Sequence, residues 1–115
     1  MSVNSIFGVA SSGLDLQARR LEVSASNVAN VSTDGFKASQ VAAQEQASGG
    51  VTSQIVPTGD APAMMLRGGA MVQGSNTDLV TELVTQRTAL HAYQANLNVL
   101  RTNDELLGAV LNIKT

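Results

Sequence analysis

The first part of the chain carries apolar residues at regular steps of three and four. This spacing places them on one face of a helix, because an α-helix completes a turn about every 3.6 residues. The stretch contains no proline, and Ser32 and Gly35 beyond it are residues that favour a turn. The pattern predicts an amphipathic helix over residues 4–30. Its apolar stripe consists of Phe7, Ala10, Leu14, Ala18, Leu21, Ala25 and Val28.

The last part of the chain carries a longer and stricter repeat. Ten positions from 79 to 111 alternate steps of four and three, and eight of them are apolar. Such a sustained repeat predicts a helix over residues 76–113 with a coiled-coil seam. Asn76 is the expected N-cap, and Asp78 and Glu82 suit the positive end of the helix dipole. The seam positions are Leu79, Leu83, Gln86, Leu90, Tyr93, Leu97, Leu100, Asp104, Leu107 and Leu111.

Residues 31–75 follow neither pattern, and they hold both prolines and most of the glycines. We expect a turn followed by a loop. In this loop, residues 51–56 and 70–72 either form two short strands of a weak hairpin or become ordered only on assembly. The whole pattern predicts an all-α fold. Its two long terminal helices pair as a coiled-coil-like hairpin, with a Gly- and Pro-containing middle loop or short β-hairpin.

The predicted pair of helices does not cover its own apolar surface. Two helices share one seam, yet further apolar residues of the second helix lie beside that seam. The pattern predicts no third layer to cover them, so other chains must do so. We therefore expect a protein that associates with itself or with related chains and is poorly folded when alone. The additional apolar residues are Val80, Val84, Val99, Leu106, Val110 and Ile113.

Composition and charge narrow the classes of protein further. At 115 residues and 11.9 kDa the chain is too short for a multidomain enzyme. A net charge of −2 without a basic cluster argues against binding to nucleic acid. No apolar run approaches the roughly 18 residues of a membrane span. The N-terminus also lacks the features of a secretory signal peptide. We thus expect no nucleic-acid partner, no membrane span and no cleaved signal peptide.

Residues capable of chemistry are isolated from one another. The only histidine, His91, has no metal-ligand side chain four positions before or after it. Asp104 and Glu105 are adjacent and point in different directions on a helix, which does not suit a paired acid and base. The glycine-rich stretch 68–74 lacks the spacing of a phosphate-binding loop. We therefore expect no enzyme activity, no cofactor and no metal site.

A short motif follows the first predicted helix and overlaps its end. Residues 27–37 resemble the N-terminal signature of the bacterial flagellar rod and hook proteins. Residues 76–106 resemble the C-terminal helix of the same family, so the two motifs lie at the two ends of the chain in the expected order. The positions that match the N-terminal signature are Asn27, Val28, Ala29, Asn30, Thr33, Gly35, Phe36 and Lys37.

The resemblance implies both a structure and a role. In this family the terminal helices pair into an α-helical inner domain. Subunits stack helically into the periplasmic rod of the flagellar basal body, after export by the flagellar type III apparatus without a cleaved signal peptide. The chain would be a single rod-type domain over residues 1–115. Its partners would be other rod proteins, copies of itself and the export apparatus. The large β-rich insert of hook and distal-rod members is absent, so the chain is more similar to a proximal-rod protein.

Two groups of residues would carry the assembly. One group lies in the turn motif, which would shape the corner where the first helix ends and neighbouring subunits meet. It consists of Asn27, Asn30, Thr33, Gly35 and Phe36. The other group lies in the seam of the second helix and consists of Leu83, Leu90, Tyr93, Leu97, Leu100 and Leu107. The alternative function is that of a soluble coiled-coil adaptor or export-related protein that binds a partner helix in a groove.

Overall fold

The computed structural model describes residues 3–113, which form a long helix pair with two small β-hairpins. The Cα radius of gyration is 19.9 Å, well above the roughly 13 Å expected for a compact chain of this length. The molecule measures 78 × 25 × 13 Å and is therefore elongated. In chain order the elements are α1 (Val3–Ala29), β1 (Ser39–Glu45), β2 (Val51–Pro57), β3 (Met64–Arg67), β4 (Ala70–Gln73) and α2 (Leu79–Ile113).

The helices α1 and α2 lie antiparallel. Towards one end of the pair the Ser24 hydroxyl donates to the backbone oxygen of Glu82, and towards the other end Ile6 and Leu106 line one groove. The helix hairpin that the two apolar patterns predict is therefore present. The fold is mostly helical rather than all-α, because the middle of the chain forms four strands. Within residues 3–113, neither helix is long and apolar enough to cross a membrane.

Asp78, and not Asn76, caps the N-terminus of α2. Its carboxylate accepts hydrogen bonds from the N–H of the second helical residue (3.1 Å) and from the hydroxyl of the third (2.9 Å). These bonds satisfy donors that the start of a helix would otherwise leave free. The helix therefore begins at Leu79. The Asn76 side chain instead joins two loop segments: it accepts from the Ala38 N–H (2.6 Å) and donates to the Asp60 backbone oxygen (2.8 Å).

Two antiparallel hairpins form in the middle of the chain, where the sequence predicts at most one. β2 pairs with β1, and β3 pairs with β4, so the predicted pairing of residues 51–56 with 70–72 is wrong. Each hairpin closes over a short turn, whereas pairing β2 with β4 would require a longer loop to close at a greater entropic cost. The first turn contains Gly49 and Gly50 at φ angles of +93° and +87°, which glycine adopts without steric strain.

The hairpin β1–β2 lies along α1 and covers a second side of that helix. The Val51 N–H donates to the Ser12 hydroxyl (3.1 Å), which in turn donates to the Val9 backbone oxygen (2.7 Å). Because α1 is covered by both α2 and this hairpin, it buries a band that differs from the predicted stripe. Ala18 and Ala25 of that stripe are exposed. The buried residues of α1 include Ala10, Leu16, Gln17, Val23, Ser24 and Asn27.

Candidate assembly surface

A buried polar cluster joins α1, β1 and α2 near the C-terminal end of α1. Asn27 is only 2% exposed. Its amide group donates to the Ser39 backbone oxygen (2.7 Å) and to Glu82 Oε1 (2.9 Å), and its Oδ1 accepts from the Ser39 N–H (3.1 Å). One side chain therefore bonds to two elements that follow α1 in the chain. We call this cluster the polar corner, and it consists of Ser24, Asn27, Ser39 and Glu82.

Ser24 and Glu82 complete the polar corner. The Ser24 hydroxyl donates to the Glu82 backbone oxygen (3.2 Å), and both residues are buried. A buried polar group without a partner keeps its full desolvation cost, so the bond from Asn27 to Glu82 stabilises the packed state. None of the four side chains is apolar. Hydrogen bonds therefore link α1 to α2 at this end of the pair and contribute to the register of the two helices.

The sequence predicts only part of the polar corner. Asn27 belongs to the turn motif, whereas Glu82 is predicted only as an acidic residue near the start of α2. The two residues are 55 positions apart, and no periodic pattern links them. Ser24 and Ser39 carry no sequence signal that distinguishes them from exposed serines. Their roles depend on the close approach of three elements, which only the folded chain provides.

The remaining motif residues build the turn after α1. The Asn30 side chain donates to a backbone oxygen of the last helical turn (2.9 Å) and accepts from the Thr33 hydroxyl (3.1 Å). Gly35 has a φ angle of +73°, and its N–H donates to the last backbone oxygen of β4 (2.8 Å). Thr33 and Gly35 are exposed, and Phe36 is half-buried. The motif thus divides into Asn27, which lies inside the chain, and a turn that lies at its surface.

The face of α2 that packs on α1 is not the leucine repeat. Glu82 and Ala89 are buried there, seven positions apart. Asn96, a further seven positions on, lies so close to α1 that a Cβ atom at Gly13 would be 2.9 Å from its side chain. The leucine repeat is displaced by one residue from this face. Leu83, Leu90 and Leu97 are 60%, 48% and 42% exposed. The other predicted seam residues Tyr93, Leu100 and Leu107 are half-buried.

The displaced leucines lie on the side of the helix pair opposite β1–β2. Thr88 of α2 lines a groove together with β1 residues. Leu90 is two positions further along, and two residues of a helix point to nearly opposite sides, so Leu90 points away from β1. On α1, Ser12 contacts β2 and Leu14 likewise follows two positions later. Residues at steps of seven share these sides. We call this surface the leucine face, and it consists of Phe7, Leu14, Leu21, Val28, Leu83, Leu90 and Leu97.

The residues considered for chemistry do not form a site. His91, Asp104 and Glu105 are all exposed on α2, and no hydrogen bond or ion pair connects any of them to the polar corner. In the described range 3–113, no three His, Asp or Glu side chains stand close enough together to hold a metal ion. The glycine-rich stretch 68–74 forms the turn and second strand of the β3–β4 hairpin.

Two models of protein families match the chain. The model described as flagella basal body rod protein matches residues 7–37. The model described as flagellar basal body rod FlgEFG protein C-terminal matches residues 69–113. The first match covers most of α1 and the turn motif, including Asn27. The second covers β4 and all of α2, including Glu82. All residues of the leucine face therefore lie within the matched regions, and so do all residues of the polar corner except Ser39.

Curated relatives align with nearly the whole chain. Those from Salmonella typhimurium and Yersinia enterocolitica are 34% and 36% identical to it over 132 residues, and one from Buchnera aphidicola is 28% identical over 134. Each alignment covers 98% of this chain and 98% of the relative, and each relative is named flagellar basal-body rod protein FlgC. Together with the family-model matches at both ends, these alignments show that this chain belongs to the flagellar basal-body rod protein family, whose members are structural subunits of that rod.

Proposed function

We propose that this rod subunit assembles helically with copies of itself and with other rod proteins through its leucine face, as part of the periplasmic drive shaft of the flagellum. The observation that carries the proposal is the location of the leucine repeat. The repeat is regular enough for a coiled-coil seam, yet Leu83, Leu90 and Leu97 remain exposed in the single chain. A neighbouring subunit supplies the cover that α1 does not.

Burial of the leucine face against a neighbouring subunit lowers the free energy of the assembly. Burial of a fully exposed leucine side chain contributes about 1.5–3 kcal/mol, and Leu83, Leu90 and Leu97, which are 60%, 48% and 42% exposed, each still offer about half of that. Soluble monomers rarely expose a contiguous apolar patch of this kind. Burial of the face between subunits therefore supplies free energy for assembly that the helix pair does not gain on its own.

The elongated shape suits a helical assembly. Subunits 78 Å long and at most 25 Å across expose far more surface along their sides than at their ends. A contact between different surfaces of identical subunits repeats without closing when its rotation does not complete a ring, and the result is a helix. Such an assembly transmits torque through packing alone. We propose accordingly that the chain functions without catalysis.

The motif residues divide their roles in this proposal. Asn27 acts from inside, because it holds the end of α1 in place through the polar corner. Asn30 maintains the turn, and Thr33, Gly35 and Phe36 contact neighbouring subunits from its surface. The seam residues that contact neighbours are Leu83, Leu90, Tyr93, Leu97, Leu100 and Leu107.

The proposal also covers transport of the chain and its position in the rod. The chain reaches the basal body through the flagellar type III export apparatus, without a cleaved signal peptide. The short connection between α1 and α2, made only of two small hairpins, supports a position in the proximal rod. Nothing in the relatives favours the alternative of a coiled-coil adaptor.

A pair of charge substitutions on α2 tests the proposal. Leu97→Asp places a charge on the leucine face and should abolish self-assembly in sedimentation and incorporation into isolated basal bodies. His91→Asp introduces a carboxylate at another exposed position of the same helix, away from that face, and should leave both unchanged. Helicity by circular dichroism controls for folding. If the Leu97→Asp protein assembled as well as the unsubstituted chain, the leucine face would not be the assembly surface.

A further inference from the structure

The turn motif contains an aspartate that is followed directly by a glycine, Asp34 and Gly35. An aspartate in this position is prone to attack by the backbone nitrogen of the next residue, because glycine has no side chain that obstructs the approach. Each other aspartate of the chain precedes a residue with a side chain, so Asp34 is the most reactive of them by sequence. These other aspartates are Asp15, Asp60, Asp78 and Asp104.

The reaction converts aspartate to isoaspartate and needs no reagent except water. The Gly35 nitrogen forms a bond to Asp34 Cγ, the bond from Cγ to its hydroxyl oxygen breaks, and the hydroxyl leaves as water with the amide proton. The product is a succinimide ring. Water then opens the ring at either carbonyl. Opening at Cγ restores aspartate, whereas opening at the main-chain carbonyl leaves isoaspartate, in which the main chain runs through the former side chain.

The folded chain does not protect this bond by steric obstruction. The Asp34 side chain is 36% exposed, Gly35 is also exposed, and a Cβ atom at Gly35 would contact nothing within 4 Å. The attacking nitrogen and the carboxyl carbon therefore both lie at an open surface. Protection in the folded chain must come from contacts that hold these two atoms apart.

The backbone of the turn provides the first such restraint. The Phe36 N–H donates to the Thr33 backbone oxygen (3.2 Å), and Gly35 has a φ angle of +73° whereas Asp34 does not have a positive φ. These are the features of a type II turn, in which the ψ angle of the second residue is about +120°. Ring closure requires rotation about the Cα–C bond of Asp34 well away from this value, so the turn must open first.

The β3–β4 hairpin provides two further restraints, one on each reacting group. The Gly35 N–H donates to the Gln73 backbone oxygen of β4 (2.8 Å), and the nitrogen must give up this bond before it attacks. Arg67 of β3 forms an ion pair with Asp34 Oδ2 (3.2 Å), which holds the carboxylate on the side of the hairpin. Opening of this one hairpin therefore releases both the nucleophile and the carboxyl group.

We propose that Asp34 is a site of spontaneous isoaspartate formation and that the β3–β4 hairpin suppresses this reaction in the folded chain. The hairpin thereby keeps the turn motif chemically intact, a role that is independent of contacts between subunits. Isoaspartate lengthens the main chain by one carbon between Asp34 and Gly35. The N–H groups of Gly35 and Phe36 then no longer meet their acceptors, so the modified turn loses the geometry that the motif builds.

The rate of isoaspartate formation tests the proposal. The protein is incubated at neutral pH below the concentration at which subunits associate. Isoaspartate is measured by methylation with protein-L-isoaspartate methyltransferase and assigned to residue 34 by peptide mapping. We expect slow formation in buffer and much faster formation in urea, because unfolding removes all three restraints. Arg67→Ala should raise the rate in buffer about twofold to fivefold, as expected for loss of an exposed ion pair.

Three further variants separate the hairpin from other causes. Gly69→Val strains the β3–β4 turn, where Gly69 has a φ angle of +83°, and should raise the rate more than Arg67→Ala because it releases both restraints. Arg87→Ala removes the same charge from an exposed position on α2 and should leave the rate unchanged. Asp34→Glu should abolish the signal, because glutamate would have to form a larger ring. Circular dichroism verifies that each variant keeps its helices.

The outcomes decide between protection by the hairpin and local chemistry. If residue 34 formed no isoaspartate even in urea, the site would not be reactive and the proposal would be wrong. Equal rates in buffer and urea, or equal rates for Arg67→Ala and Arg87→Ala in buffer, would show that the hairpin does not protect the bond. If Arg67→Ala raised the rate as much in urea as in buffer, the arginine would act without the hairpin. None of these results depends on assembly through the leucine face.

Discussion

The polar corner and the leucine face show opposite relations between side-chain chemistry and burial. The polar corner consists of serine, asparagine and glutamate side chains, and Asn27 and Ser24 within it are almost completely buried. The leucine face consists of large apolar side chains, of which Leu83, Leu90 and Leu97 are about half exposed. In a self-sufficient globular domain the distribution would be the reverse.

This difference shows how one small chain serves an assembly. Hydrogen bonds at the polar corner depend on exact geometry, so they fix how α1, β1 and α2 meet within a subunit. Apolar contact is less directional and contributes more free energy per side chain, and the chain leaves it available for neighbours. Substitutions in the two regions should therefore affect different properties: the stability of the subunit in one case and its association in the other.

Loss of Asn27 should produce the largest effect on stability. Asn27→Ala removes the hydrogen bonds to Ser39 and leaves the Glu82 carboxylate buried without its amide donor. We expect the free energy of unfolding to fall by about 2–3 kcal/mol, measured by urea denaturation below the concentration at which subunits associate. The helix pair should lose its register as a consequence, and assembly should fail secondarily.

Asn30→Ala provides the matched control for Asn27. Asn30 belongs to the same motif, but its hydrogen bonds are exposed, so its loss should cost only about 0.5 kcal/mol. A double-mutant cycle that adds Glu82→Ala should give a clear coupling energy with Asn27→Ala, because the two side chains are in contact. Equal effects of the two asparagine substitutions would show that the polar corner does not fix the fold.

Truncation of Leu83 should affect association and leave the subunit intact. Leu83 is 60% exposed, so Leu83→Ala should change the free energy of unfolding by no more than about 0.5 kcal/mol. In an assembly the same change removes about 1.5 kcal/mol of apolar burial for each contact, which corresponds to a roughly tenfold higher concentration for assembly. Sedimentation over a concentration series measures this shift.

Ala89→Leu provides the reciprocal test. Ala89 is buried in the contact between α1 and α2, so a leucine there overpacks the contact and should destabilise the subunit by about 1–3 kcal/mol. Leu83→Ala should therefore change the concentration needed for assembly, whereas Ala89→Leu should change the free energy of unfolding. If Leu83→Ala lowered stability as much as Ala89→Leu does, the leucine would be packed within the chain and not at its surface.

The sequence predicts where the two helices lie in the chain better than it predicts which face each helix buries. Both long helices follow from periodicity, because repeated apolar spacing is a local property. Which face α1 buries depends on β1–β2, and β1 has a single β-branched residue, Val41, and no aromatic residue to identify it as a strand. Leucine spacing identifies a seam on α2, but Ala89 and Asn96 allow closer approach of α1 one residue away. The choice between these adjacent faces is made by tertiary contacts such as that of Asn27 with Glu82.

The smallest expected effect concerns two glycines of α1, which together test which face of α1 contacts α2. A Cβ atom at Gly8 would contact nothing within 4 Å, whereas one at Gly13 would lie 2.9 Å from the Asn96 side chain. Replacing a helical glycine by alanine stabilises a helix by up to about 1 kcal/mol, so Gly8→Ala should raise the midpoint of thermal unfolding. Gly13→Ala gains the same helix propensity but must displace Asn96, which donates to the Ala92 backbone oxygen.

We therefore expect the Gly13→Ala protein to be about 1 kcal/mol less stable than the Gly8→Ala protein, with thermal unfolding followed by circular dichroism. Adding Asn96→Ala to Gly13→Ala removes the obstructing amide and should restore most of the difference, because the conflict lies between these two side chains alone. If Gly13→Ala stabilised the chain as much as Gly8→Ala, α1 and α2 would not approach closely at Asn96. The leucines of α2 would then be free to turn towards α1, and the leucine face would be an internal seam.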